Sequence, residues 1–288
     1  QNTYYPMIIA IIGTIVNIFL DVILVYGISD IIPSLQLEGA ALASVISQIL
    51  MAIIATILML KNTSIPLQPT TPINKELSKF LFMIGNLIIR TIALNLALYF
   101  ATSFATAYGT NDIAAYTIAI NLWFFAAFAV DGYASAGNIL SGKLYGAQQI
   151  ETLVKLSQRL TKKALIVGLI MAGIGAVFYT PIGTIFTSET QVLSKFYDVF
   201  WIILIMQPFC ALAFVFDGIF KGLGKMKVLR NVLVTATVVI FIPGLLISDY
   251  LNLKLHGIFI AFTLWMIARG IPLVIKFRKQ FLPHTQKH

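Results

Sequence analysis

The chain has 288 residues, of which 59% are hydrophobic and only 11% charged, with a formal net charge of +9. Soluble domains carry about 25% charged residues, and a chain of this length cannot bury so much apolar surface in water, so the composition excludes an ordinary soluble domain. One cysteine, Cys210, excludes a disulfide framework and a thiolate zinc cluster, and His256, His284 and His288 lie in a loop or the tail without metal-ligand spacing. The excess of positive charge is not a nucleic-acid signal, because the basic residues sit in short segments between apolar runs, where they act as topology signals.

Eight apolar stretches are long enough to cross a bilayer as helices. The first, Tyr5–Gly27, begins within a few residues of Gln1 with no charged leader before it. The expectation is that further helices precede it and that this chain by itself does not transport. Gly39–Leu60 follows. Residues 61–79 then carry Pro66, Pro69 and Pro72 among Ser, Thr and Asn, the composition of a linker between lobes. Phe80–Tyr108 is long enough to start as an interfacial helix, and Ile113–Leu140 comes next. Residues 143–163 set Leu144, Ile150, Leu153, Val154, Leu156 and Leu160 among Lys and Gln, the pattern of an amphipathic helix lying on the membrane surface. Ala164–Thr187, Phe196–Phe220 and Val232–Ser248 carry Pro181, Pro208 and Pro243, bends of a kind that membrane helices tolerate beside cavities. Gly257–Ile275 is the last. The reading is an all-α integral membrane protein of about eight transmembrane helices.

Sixteen of the 20 basic residues fall in alternate loops and the tail, whereas the intervening loops hold only Lys195 and Lys254. By the positive-inside rule, both ends of the chain are expected on the cytoplasmic side.

Ionisable groups at membrane depth are costly and mark functional candidates. Here they are Asp21, Arg90, Asp131, Asp217 and Arg269. No nucleophile–base pair accompanies them, so no catalytic residue is assigned. No P-loop sequence is present, so energy would come from an ion gradient rather than bound ATP. Asn17 and Asp21 are four residues apart and share a helical face. A carboxylate that lipid desolvates can trade its charged form for the neutral one, so the pair reads as a proton-exchange site or as an interhelical polar clamp. Arg90 and Asp131 lie at similar depths on consecutive spans, and we expect them to pair within about 4 Å. Asp217 and Arg269 read as structural or cavity-lining.

At these residues the chain resembles the MATE (multidrug and toxic compound extrusion) family, and within it the DinF-like branch. The matching stretches are Val16-Asn-Ile-Phe-Leu-Asp21, Gly39-Ala-Ala-Leu-Ala-Ser44, Ile89-Arg-Thr91 and Asp112-Ile-Ala-Ala115. The most specific are Asp131-Gly-Tyr-Ala-Ser-Ala-Gly137 with Ser141-Gly-Lys-Leu-Tyr-Gly146, and Asp217-Gly-Ile-Phe-Lys-Gly222 leading to Arg230-Asn231. The resemblance covers helices five to twelve of a twelve-helix, two-lobe bundle. It implies that residues 1–60 close the N-terminal lobe, 61–79 form the cytoplasmic linker and 80–288 make the six-helix C-terminal lobe.

The function that the resemblance implies is antiport across the plasma (inner) membrane of a bacterium. Small organic, often cationic or amphipathic, compounds would leave in exchange for H⁺, or less readily Na⁺, with no cofactor and no nucleic-acid partner. The coupling residues it implies are Asn17 and Asp21, with Ser44 where relatives carry a hydroxyl, and a second aspartate on a first helix outside this sequence. Sodium-coupled relatives place acids where this chain has Leu94 and Cys210, so protons are the implied ion. Two rivals stay open: a lipid-linked sugar flippase of the same superfamily, which would use Arg90 and Arg269, and a non-transporting membrane fragment.

Overall fold

The computed structural model describes residues 4–27, 33–63 and 76–284, and all its regular elements are helical. Among the described residues, eight spans are long and apolar enough to cross a membrane, and the protein is a multi-pass membrane protein. They group into two compact units, Gln1–Asn74 and Lys75–His288.

The first unit is a helix pair, α1 (Tyr4–Tyr26) and α2 (Gln36–Asn62). The buried positions of α2 are Gly39, Ala43 and Ser47, one stripe at four-residue spacing. A Cβ at Gly39 would collide with the Leu24 backbone, and one at Gly13 with the side chain of Met51, so small residues set how close the two helices come. The apolar side chains of Ile15, Ile18, Phe19 and Val22 point outward, as they must where the solvent is lipid.

The second unit contains α3 (Glu76–Ala107), α4 (Thr110–Gly146), α5 (Ile150–Val177) and a short α6 (Tyr179–Phe186). They are followed by α7 (Thr190–Gly222), α8 (Met226–Thr235), α9 (Ile242–Tyr250) and α10 (Lys254–Phe281). The most buried span is α7, and α4, α5 and α10 pack around it. An aromatic cluster that includes Phe196, Phe200, Phe241, Phe259, Phe262 and Trp265 fills one end of this core. Along α3, Asn86, Arg90, Ala93, Ala97, Ala101 and Ala105 are buried in a single stripe, while Ile88, Ile92 and Tyr99 remain exposed. Arg90 thus belongs to the inward face of its helix.

The prolines act differently from one another. Pro181 occupies the first turn of α6, where its missing N–H is not needed. Pro208 and Pro272 lie inside the continuous helices α7 and α10. Pro243 follows a π-helical turn, Ala236–Phe241, that joins α8 to α9. The wider turn accommodates a ring that cannot donate to Val239 and crowds its carbonyl.

One expectation is corrected. Residues 150–163 do not form a separate surface helix; they are the first half of α5, which runs unbroken to Val177. Leu153, Val154 and Leu160 find a protein partner in the core formed with α7 and α10, which removes the reason to lie on lipid. The linker prolines lie outside the described residues, while Lys61 and Asn62 continue α2, and α3 starts at Glu76.

Candidate functional site

The second unit holds a buried charge network. The Arg90 guanidinium donates through Nη2 to Asp217 Oδ1 at 2.6 Å, and the two side chains are each 10% exposed. The other oxygen of the same carboxylate, Oδ2, takes Lys221 Nζ at 2.9 Å, one turn along α7. One carboxylate therefore answers two cations. Arg90 Nε remains buried without a hydrogen-bond partner.

Arg269, on α10, is also buried, and no carboxylate among the described residues lies within salt-bridge distance of it. Its guanidinium carbon lies 4.6 Å from the Trp265 ring centre and 5.9 Å from that of Phe214, and Nη1 approaches Met266 Sδ at 3.7 Å. Aromatic faces surround this cation, and the Asp217 carboxylate acts on it from beyond salt-bridge distance. Arg269 borders a cavity of about 220 Å³ that also meets Asp131, Trp123, Phe124, Phe128 and Phe214.

The expected pairing of Arg90 with Asp131 is overturned. Depth along two antiparallel helices does not fix the direction in which a side chain points. Arg90 lies on the buried stripe of α3 and reaches α7, whereas Asp131 lies on the exposed flank of α4 beside the aromatic cavity and makes no salt bridge among the described residues. Lys221, the second partner of Asp217, was overlooked, although the i, i+4 spacing of the two residues was readable in the sequence.

What brings Asp217 to its place is the close contact between α4 and α7. A Cβ at Gly218 would run into the carbonyl of Ala134, and one at Gly222 into that of Asn138. Ser141 Oγ donates to the Ile219 carbonyl at 3.1 Å. The two stretches that carry the family likeness are thus the two facing sides of one interface. Small residues let the backbones touch, and the touching backbones fix the position of the carboxylate.

The first unit has a different character. Asp21 Oδ1 and Asn17 Nδ2 are both buried and without a hydrogen-bond partner. Ser44 is exposed and does not join them; Ser47, one turn along the buried stripe, is buried, with Oγ donating to the Ala43 carbonyl at 2.7 Å. In the second unit, Leu94 borders the aromatic cavity and Cys210 Sγ accepts from Trp123 Nε1 at 3.2 Å.

The MatE family model matches residues 87–247. The chain belongs to the MatE family. The matched segment of this MatE chain includes Arg90, Asp131 and Asp217 and leaves Asn17, Asp21 and Arg269 outside. The chain is 28% identical to the DNA damage-inducible protein F of Escherichia coli (strain K12), over 98% of its own length and 60% of that protein's. It is 27% identical to Protein DETOXIFICATION 42 of Arabidopsis thaliana, over 94% of the chain and 51% of the relative. It therefore spans between half and 60% of these relatives. The fold is shared with the Vibrio cholerae MATE transporter VcmN in the bent form, at a TM-score of 0.80 and 22% identity over 98% of this chain and 63% of that one. It is also shared with a MOP superfamily transporter from Pyrococcus furiosus, at a TM-score of 0.82 and 21% identity over 96% and 62% of the respective chains.

Proposed function

We propose that this MatE protein serves a proton-coupled exporter of small organic compounds, cationic or amphipathic, in the plasma (inner) membrane of a bacterium, with both ends of the chain cytoplasmic. In this reading the coupling group is Asp21, assisted by Asn17, and the protein is not an enzyme. Family membership supports the transport class, and the DinF-type relative supports the bacterial membrane.

The observation that carries the choice of residue is the contrast between two carboxylates, one buried and one half-buried. Asp217 is held by Arg90 and Lys221, so it has partners for its charged form. Asp21 Oδ1 has no hydrogen-bond partner. A carboxylate without fixed partners is the one whose charge can change during a transport cycle. Proton uptake removes an anion that can hold a cationic compound. Release of the compound and entry of the proton are then linked through the relative stability of the two protonation states. A sodium-coupled scheme is less well supported, because the two positions it would need are Leu94 and Cys210.

The test is Asp21→Asn in the full-length protein, reconstituted in vesicles and assayed for drug-driven proton flux. Lost flux with normal expression and monodisperse elution is the expected result. Flux at the unsubstituted level would overturn the reading and leave Asp21 a structural clamp.

A further inference from the structure

A groove of about 400 Å³ opens on the surface of the second unit between α5, α7 and α10. Its wall is apolar over most of its length, with Leu165, Leu169, Leu212 and Phe277 among the side chains that form it. One end is polar and carries Gln158, Lys162 and Arg278. Lys162 and Arg278 are exposed, and neither makes an ion pair among the described residues, whereas Lys155, two turns earlier on α5, is bonded to Glu151 at 2.5 Å. Ser157 and Thr161 also border the groove, but both hydroxyls already donate into the backbone of α5, to Val154 and Ser157 at 2.8 and 2.7 Å. The donors left free at this end are thus two full positive charges and one amide.

We propose that this groove binds one anionic phospholipid, with its phosphate between Lys162 and Arg278, Gln158 donating to it, and an acyl chain along Leu165 and Leu169. Charge complementarity selects the occupant. Lys162 ends the amphipathic half of α5 and Arg278 lies in the last turn of α10, so both cations stand where apolar wall gives way to basic loop, at headgroup level. From Lys162 to Leu169 the helical rise covers about 10 Å, so a phosphate at the cations puts the first part of a chain against the leucines. Neutral lipid would meet the same wall without the charge. A soluble anion would meet the charge without the wall. The inference does not depend on the coupling ion.

The experiment is lipid titration of the purified full-length protein, with phosphatidylglycerol and phosphatidylcholine compared by native mass spectrometry. Each cation close to an anionic headgroup contributes roughly a fivefold preference, so K162Q/R278Q is expected to lower phosphatidylglycerol retention roughly 30-fold and to leave phosphatidylcholine unchanged. Leu169, 57% exposed on the outer surface, tolerates a larger side chain, and Leu169→Trp is expected to weaken retention with both charges intact. Inorganic phosphate is expected not to displace the lipid. Equal retention of the two lipids, displacement by phosphate, or an equal loss in a K155Q/K279Q control would each overturn the proposal.

Discussion

Removing the anion at Asp217 tests the charge network most directly. Asp217→Asn keeps the shape of the side chain and leaves the two cations bonded to it, Arg90 and Lys221, without a counter-charge. They do not suffer equally. The Lys221 side chain is 35% exposed and can turn to water, whereas that of Arg90 is 10% exposed and already has Nε unpaired. Breaking a buried pair by deleting one partner costs about 3–5 kcal/mol, and we expect Asp217→Asn near about 5 on that scale. Arg90→Met leaves the carboxylate with Lys221, so its cost is expected near ~3 kcal/mol on the same scale. The double variant removes the Arg90 cation together with the anion that balances it, so the two effects should fall short of additivity by about 2–3 kcal/mol, at the strong end for residues in contact. Unfolding in mixed detergent micelles, followed by tryptophan fluorescence, reads this well, because Trp123, Trp201 and Trp265 all lie in the second unit. Additive costs, or an Arg90→Met penalty as large as that of Asp217→Asn, would refute the reasoning.

Gly218→Leu should destabilise by at least the ~1–3 kcal/mol of an overpacked core, because the new side chain meets the Ala134 backbone and not a movable group; Gly132→Ala, which enters open space, should behave as the unsubstituted protein in a thermal-aggregation assay. For topology, Lys155→Cys in intact cells should resist a membrane-impermeant thiol reagent added outside and react once the membrane is opened; labelling from outside would reverse the proposed orientation.

The spans were legible because a 20-residue apolar stretch has few alternatives in a chain with so little charge, and seven of the eight fall where hydropathy puts them; the fifth is shifted to Ile150–Val177, and the end of its expected stretch forms the separate helix α6. The family likeness was legible in short motifs, whose physical content, the facing glycines and carbonyls of α4 and α7, needed coordinates. What hydropathy could not give was rotation about the helix axis. Arg90 and Asp131 match in depth and differ in direction, and Ser44, which the family resemblance implies, is exposed where Ser47 has the buried face. The continuity of α5 escaped for a related reason. An amphipathic stretch predicts an apolar face but does not say whether lipid or another helix covers it.

In the transport cycle proposed above, Asp217 and Asp21 would serve different parts. In alternating access, one bundle rocks against another as a largely rigid body, so a lobe must keep its internal packing while its environment changes. The second unit has what rigidity requires: backbones of α4 and α7 in contact through Gly218 and Gly222, and a carboxylate that bridges α3 to α7 through Arg90. Protonating Asp217 would leave the buried Arg90 cation stranded, which makes that residue a poor place to exchange a proton at every turnover. Protonating Asp21 at Oδ1 breaks no hydrogen bond among the described residues. A cycle that must change charge without loosening a lobe is better served by the carboxylate with no hydrogen-bond partner. The clamped carboxylate is better suited to holding its helices together while the other changes state.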